Sequence, residues 1–352
     1  LVLAVLSENC LNSGDASLQL ERKFWARKIN LQNGTSTQYQ INADQKRNSK
    51  YVTVFAEKGN NVSDSVISNL VSVVEGTIIP IEHTWLTSPM DVDQNGKVIL
   101  LLMDIDDGYQ TGGNYIAGYF DAINQFSDAD TNSQLQLRSN HSEMLYLDTY
   151  PANPNSTAFY ATLAHEYQHL LQFTNNYPNG VVEETWVDEG LAEVMSDITG
   201  FGPQTARADY FRSAILASDS LIQFNNSDPL RDYSSAYMYF RYIYDIYGLG
   251  GISQIFRMPE TGVAGVNRGI QSVDSAITSH CGNTVGLAQP YFACSYRLMW
   301  AGLVNTLGAL PATVNINFDG SAGTMNTTGS VNYNWNVSDL AWRNTIANTL
   351  VS

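Results

Sequence analysis

The order of hydrophobic patterns along this 352-residue chain predicts an α+β fold. Three observations predict it. Strand-like alternation and short apolar runs fill the first 150 residues, helical periodicity takes over near residue 157, and Thr-, Asn- and Gly-rich strand-like sequence returns after Pro311. Residues 17–29 and 50–55 alternate apolar and polar, as half-buried strands do. Ser63 or Asp64 then offers a helix cap, with Val66, Leu70 and Val74 on one face and Gly76 and Pro80 expected beyond the end. Val98 to Met103 is wholly apolar, as a strand buried on both faces is. Residues 117–123 and 143–149 are two more strands, separated by the polar segment 127–142. Helices are expected at 157–174, 188–198, 205–217, 234–247, 263–278 and 288–307. These patterns divide the chain into 1–50, an N-terminal β-rich segment, 51–178, 179–310, and a β-like tail at 311–352. Neither an internal repeat nor a low-complexity linker is visible.

Composition narrows the function. Hydrophobic residues make up 44% of the chain, enough for a sizeable core. Lys and Arg number 18 against 34 Asp and Glu, a net charge of −16, so a nucleic-acid backbone is not an expected partner. No wholly apolar run approaches the roughly 18 residues of a membrane span. Cys281 and Cys294 bracket a segment that a disulfide could close, leaving Cys10 unpaired; three free thiols is the competing reading. Cys10 follows the apolar residues 1–6 as a lipid-anchoring cysteine would, but Glu8 and Asn9 fit such a signal poorly. The Asn- and Ser-rich, lysine-poor surface is compatible with a secreted or cell-surface protein.

The chemistry is concentrated in His165-Glu166-Tyr167-Gln168-His169. Residues four apart on a helix share a face, so both imidazoles can grip one ion while Glu166 reaches a water beside it. From this composition the H-E-x-x-H pattern is expected by chance only roughly 0.002–0.003 times. Phe159, Leu163, Leu170 and Leu171 flank it, so its charges lie in a largely buried helix and need a partner. Zinc in a catalytic site takes three protein ligands and leaves one position for water. The third ligand is expected in Trp186-Val187-Asp188-Glu189-Gly190-Leu191-Ala192-Glu193, with Asp188 as a cap and Glu189 in the first helical turn.

The 165–169 motif together with Asp188-Glu189-Gly190-Leu191-Ala192 resembles the gluzincin metallopeptidases, the superfamily of thermolysin and the aminopeptidase N type. The resemblance is closest to the hyicolysin family of secreted bacterial metallopeptidases, which adds the turn at 91–96 before the apolar strand and then Gly118-Tyr119-Phe120. It covers roughly residues 51–260. It implies a zincin fold, with a mixed sheet packed on the H-E-x-x-H helix in 51–178 and a helical subdomain in 179–310. It implies one catalytic zinc held by His165, His169 and Glu189, with Glu166 as general base in the hydrolysis of a protein or peptide. Glu193, four residues after Glu189, takes the place of the acid that holds the first histidine; Glu193 as the ligand itself, or as a plain helix acid, are the other readings. Tyr119, Phe120 and Asp121 would line the substrate cleft, unless that strand is purely structural. Tyr233 takes the place of the oxyanion donor, in a helix that resembles the aminopeptidase type and continues to Tyr247-Gly248.

An endopeptidase is the expected activity, because the G-x-M-E-N segment that anchors an amine in aminopeptidases is absent. An aminopeptidase, or an adhesin on the same fold without the chemistry, are the alternatives. Asp91-Val92-Asp93-Gln94-Asn95-Gly96 copies the opening of a calcium loop, but position twelve is Leu102 where a bidentate Glu belongs. A β-turn is the favoured reading there, and calcium held by these acids with Asp104, Asp106 or Asp107 is the other.

Overall fold

The computed structural model describes residues 20–31, 33–214, 221–222, 224, 228–280, 289–307, 313–318 and 321–326. Alternation makes Glu21–Asn30 (β1) a strand: Phe24 and Ala26, two apart, are buried and their neighbours are not. β1 pairs antiparallel with Thr35–Asn48 (β2), which pairs antiparallel with Val52–Glu57 (β3). β2 was not anticipated. Only its Ile41 and Ala43 are buried, and a strand this polar leaves almost no period-two signal. It also carries the sheet across the boundary expected at residue 50.

Asp64–Val73 (α1) is capped by Ser63, whose hydroxyl accepts from the Val66 amide. The helix does not stop at Gly76. It passes through a π-turn at Val74–Ile78 into Ile79–Trp85 (α2), where Pro80 falls in the first turn. Pro80 has no amide to give to the preceding turn, and the π-turn directly before it is where the helix departs from α-helical bonding. By length and composition alone, Asp64–Trp85 could cross a membrane, although no wholly apolar run of that length is visible. One face nevertheless packs into the core through Ile67, Leu70, Val74 and Ile78.

Val98–Met103 (β4) is buried at every position. Val98, Leu100 and Leu102 enter the larger core, while Ile99, Leu101 and Met103 enter a smaller one on the opposite sheet face. Gly118–Phe120 (β5) is shorter than expected, because Asp121 caps a 3-10 turn at Ala122–Gln125. Asp128–Leu135 (α3) follows within the polar segment, and then Met144–Asp148 (β6). The six strands order as β1-β2-β3-β4-β6-β5, parallel from β3 through β4 to β6 and antiparallel elsewhere, with β5 at the edge.

The helical half contains Thr157–Asn176 (α4), Thr185–Ser196 (α5), Thr205–Ala214 (α6), Pro229–Phe256 (α7), Gly262–Val273 (α8) and Pro290–Leu307 (α9). Ser156 caps α4, accepting from the Phe159 amide, and Leu163, Ala164, Leu170 and Leu171 seat it in the larger core. α7 runs longer than the 234–247 expected and kinks at Gly248, which takes a φ of 62°. Thr313–Phe318 (β7) and Ser321–Asn326 (β8) form a separate antiparallel pair. The chain is therefore α+β, with one mixed sheet and several helices. Cys294 is disulfide-bonded; Cys10 and Cys281 lie outside the described residues.

Candidate metal centre

α4 projects His165 and His169 from one face, their Nε2 atoms 3.0 Å apart. α5 brings Glu189 to the same point. Its Oε2 lies 3.2 Å from His165 Nε2 and 3.4 Å from His169 Nε2. Ligand atoms at 2.0–2.1 Å from a tetrahedral zinc stand about 3.3 Å apart, so this triangle has the dimensions of a three-ligand site. Glu189 Oε2 is buried without a hydrogen-bond partner, an expensive arrangement for a carboxylate unless a cation takes it. The donor set of two imidazoles and a carboxylate fits zinc.

Other side chains surround the triangle. His169 Nδ1 lies 3.0 Å from Asp188 Oδ1. Asp188 was read as a helix cap, but the cap position is Glu184, and Asp188 sits a turn further in. Glu193 Oε1 is 3.9 Å from His165 Nδ1, beyond hydrogen-bond reach, and is held at 2.6 Å by Arg207. The Arg207 guanidinium also lies 4.9 Å from the centre of the Tyr233 ring. Tyr233, in the second turn of α7, donates its hydroxyl to Glu189 Oε1 at 2.9 Å. Nothing in the sequence marked Arg207, since α6 has no local pattern that sets this arginine apart.

The electrostatics follow from burial against charge. Burial opposes protonation of His169, but Asp188 and Glu189 outweigh it and hold its pKa well above the ordinary imidazole value. Burial alone would raise Glu189; the two histidines reverse that, and the carboxyl is held well below its usual range. Glu166 shows the opposite result. Burial raises its carboxyl against the pull of His165 and His169. Tyr233 is pushed up by burial and then by Glu189, so it remains a donor.

Two glycines let the elements approach this closely. A Cβ on Gly118 would stand 2.9 Å from both Thr162 Cγ2 and the Tyr146 carbonyl oxygen, so only glycine lets β5 lie on α4. There the Phe120 amide donates to Glu166 Oε2 at 2.9 Å. A Cβ on Gly190, next to Glu189, would overlap the Phe240 ring at 2.2 Å. That contact sets how α5 docks against α7.

The three residues expected to line the cleft do not act together, because successive strand residues face opposite ways. Phe120 does line a cleft of about 600 Å³ beside His169 and Glu189, with Phe126, Phe173 and Tyr177. Tyr119 faces the other side of the sheet, stacked on Tyr146 at 4.3 Å, its hydroxyl accepting from the Arg27 amide. Asp121 pairs with Arg27 at 2.7 Å and caps the following turn. Neither lines the cleft, which corrects the expectation for both. Tyr237, Phe240 and Tyr244, three and four apart on α7, are core or near-core, with the Tyr237 hydroxyl donating to Asp197.

Asp188→Ala is expected to weaken zinc binding about 10–100-fold, the usual effect of removing a carboxylate behind a ligating histidine. Competition with a chromophoric chelator measures it. Unaltered affinity would leave Asp188 with no role at the centre.

No family model matches the chain. Over 249 residues it is 29% identical to a neutral metalloprotease, ShpI, of Staphylococcus hyicus. The matched region is 67% of this chain and 53% of that protein, so the chain spans about half the length of the relative it matches. The chain is thus a distant relative of a bacterial metalloprotease, which supports the family resemblance carried by the 165–169 motif.

Proposed function

We propose that the chain is a secreted zinc-dependent endopeptidase with a thermolysin-like gluzincin catalytic unit. The convergence of His165, His169 and the unpartnered Glu189 oxygen carries this reading, and the metalloprotease relative supports it. His165, His169 and Glu189 would hold one zinc. Bound there, the metal would supply a Lewis acid that lowers the pKa of water and polarises the scissile carbonyl. Glu166 accepts the proton of the attacking water and passes it to the leaving amine. Asp188 fixes the ring of His169. Glu193, braced by Arg207, stands behind His165 and supplies negative charge there.

β5 is the edge strand of the sheet above α4, which supports main-chain pairing with an extended peptide. The aromatic cleft beside Glu189 suits an apolar substrate side chain. We also propose that the catalytic unit divides near residue 178, between the sheet-bearing part and the helices of 179–310. The disulfide at Cys294 fits an oxidising, extracellular setting.

Casein hydrolysis with and without 1,10-phenanthroline, alongside elemental analysis, tests the proposal. One zinc per chain and chelator-sensitive cleavage of a peptide blocked at its N-terminus are expected. Cleavage only of substrates with a free amine would make the enzyme an aminopeptidase. Zinc without any hydrolysis would make the protein a binding module.

Tyr233→Phe tests the oxyanion donor. Such a donor is worth about 2.7–4 kcal/mol, so kcat is expected to fall about 10²-fold or more with little change in KM. Its bond to Glu189 offers a second role, as a brace for a metal ligand. Zinc content separates the two: a variant that loses both zinc and activity assigns the brace. Unchanged kcat and zinc would remove Tyr233 from the mechanism.

A further inference from the structure

The turn ahead of β4 has the form of a calcium loop as well as its sequence. The Gly96 amide donates to Asp91 Oδ1 at 2.9 Å, and the Asn95 amide to Asp93 Oδ1 at 3.2 Å. Gly96 takes a φ of 67°, the left-handed conformation that glycine tolerates best. Position twelve, Leu102, is buried in β4 and supplies no oxygen. Asp104, Asp106 and Asp107 do not replace it, because they follow the far end of β4, a six-residue strand about 20 Å long.

The missing acid comes from another strand. β6 lies parallel beside β4, and the Ile99 amide donates to the carbonyl of Glu143, the residue just before β6, at 2.8 Å. This register puts the Glu143 side chain against the turn. Glu143 is 1% exposed. Its Oε1 accepts from the Val92 amide at 2.8 Å, and its Oε2 is buried with no hydrogen-bond partner. One oxygen from each of Asp91, Asp93 and Glu143 lies within 4.8 Å of the other two. Asp93 Oδ2 also accepts from the Ser142 hydroxyl at 2.9 Å and the Asn95 side-chain amide at 2.6 Å. Those two contacts fill the lone pairs of Oδ2, while Oδ1 accepts from the Asn95 amide and keeps a second lone pair for a cation or a water. Arg22 reaches the cluster through Ser142, to which it donates at 3.2 Å.

We propose that Asp91, Asp93 and Glu143 form a calcium site, separate from the histidine centre and independent of the peptidase reading. An all-oxygen donor set on a turn with Gly at its sixth position suits a hard cation that accepts irregular geometry and fills its shell with water. Zinc would prefer the imidazoles of α4. Bound calcium would tie the turn before β4 to the start of β6, its parallel neighbour in the sheet.

The test uses the full-length, zinc-loaded protein after dialysis free of calcium. Titration with calcium chloride by calorimetry is expected to show one site, with a Kd on the order of 10⁻⁴–10⁻³ M, the range of weak extracellular calcium modules. Tm should rise with calcium and respond less to magnesium, which dehydrates reluctantly. Asp91→Asn, at an exposed position that leaves the fold intact, and Glu143→Gln should each weaken calcium binding about tenfold or more. No heat and no Tm change in the unaltered protein up to about 10 mM calcium would overturn the proposal. So would binding that survives undiminished in both variants, since that calcium would sit elsewhere.

Discussion

Glu166→Gln is expected to abolish turnover while leaving zinc bound. Glutamine keeps the length of the side chain and an oxygen that can still accept from the Phe120 amide, now 2.9 Å from Glu166 Oε2. It cannot take a proton from water or return one to the amine. General acid–base catalysis by one group contributes typically 10²–10⁴-fold, and here one carboxyl is proposed for both transfers, so the loss should reach or exceed the upper figure. Zinc content should remain at the unaltered level, because the three converging atoms come from other residues. Near-normal kcat/KM in this variant would mean that another group activates the water. Loss of zinc would instead place Glu166 among the ligands.

Glu189→Ala is expected to lose the metal and, with it, all activity. The variant removes the only carboxylate oxygen of the triangle and leaves the Tyr233 hydroxyl without its acceptor. Two histidines alone leave a divalent ion with half of a tetrahedral shell from protein. Glu193 was the rival ligand. Its oxygen lies 3.9 Å from Nδ1 of His165, the nitrogen turned away from the centre, and Arg207 already pairs with it at 2.6 Å. That geometry favours Glu189. Elemental analysis after extensive dialysis decides the matter: a zinc-replete, active Glu189→Ala protein would return Glu193 to the ligand set.

The sequence showed most where structure is local. The i, i+4 spacing of His165 and His169 fixes their relation once the segment is helical, and its buried flanks dictate a helix. Val98–Met103 was legible because a short apolar run bounded by polar turns has few other uses. β2 was not legible: fourteen largely polar residues pair through backbone hydrogen bonds that leave little trace in side-chain pattern. Tyr119, Phe120 and Asp121 were grouped from the resemblance, although strand alternation lets only Phe120 of the three face α4.

By itself, then, the sequence determined the α+β order, the two histidines with Glu166 between them, and the short list of acids from which a third ligand must come. Among those acids, the tertiary structure brings Glu189 to the two histidines. The choice between Glu189 and Glu193, and the use of Asp188 against His169, depend on how α5 docks, and that rests on Phe240 filling the space that Gly190 leaves open. Glu143 joins Asp91 and Asp93 only because β6 is the parallel neighbour of β4. Spacing along one helix or turn is set by backbone geometry that every residue shares. Convergence between elements is set by side-chain packing that no local window contains.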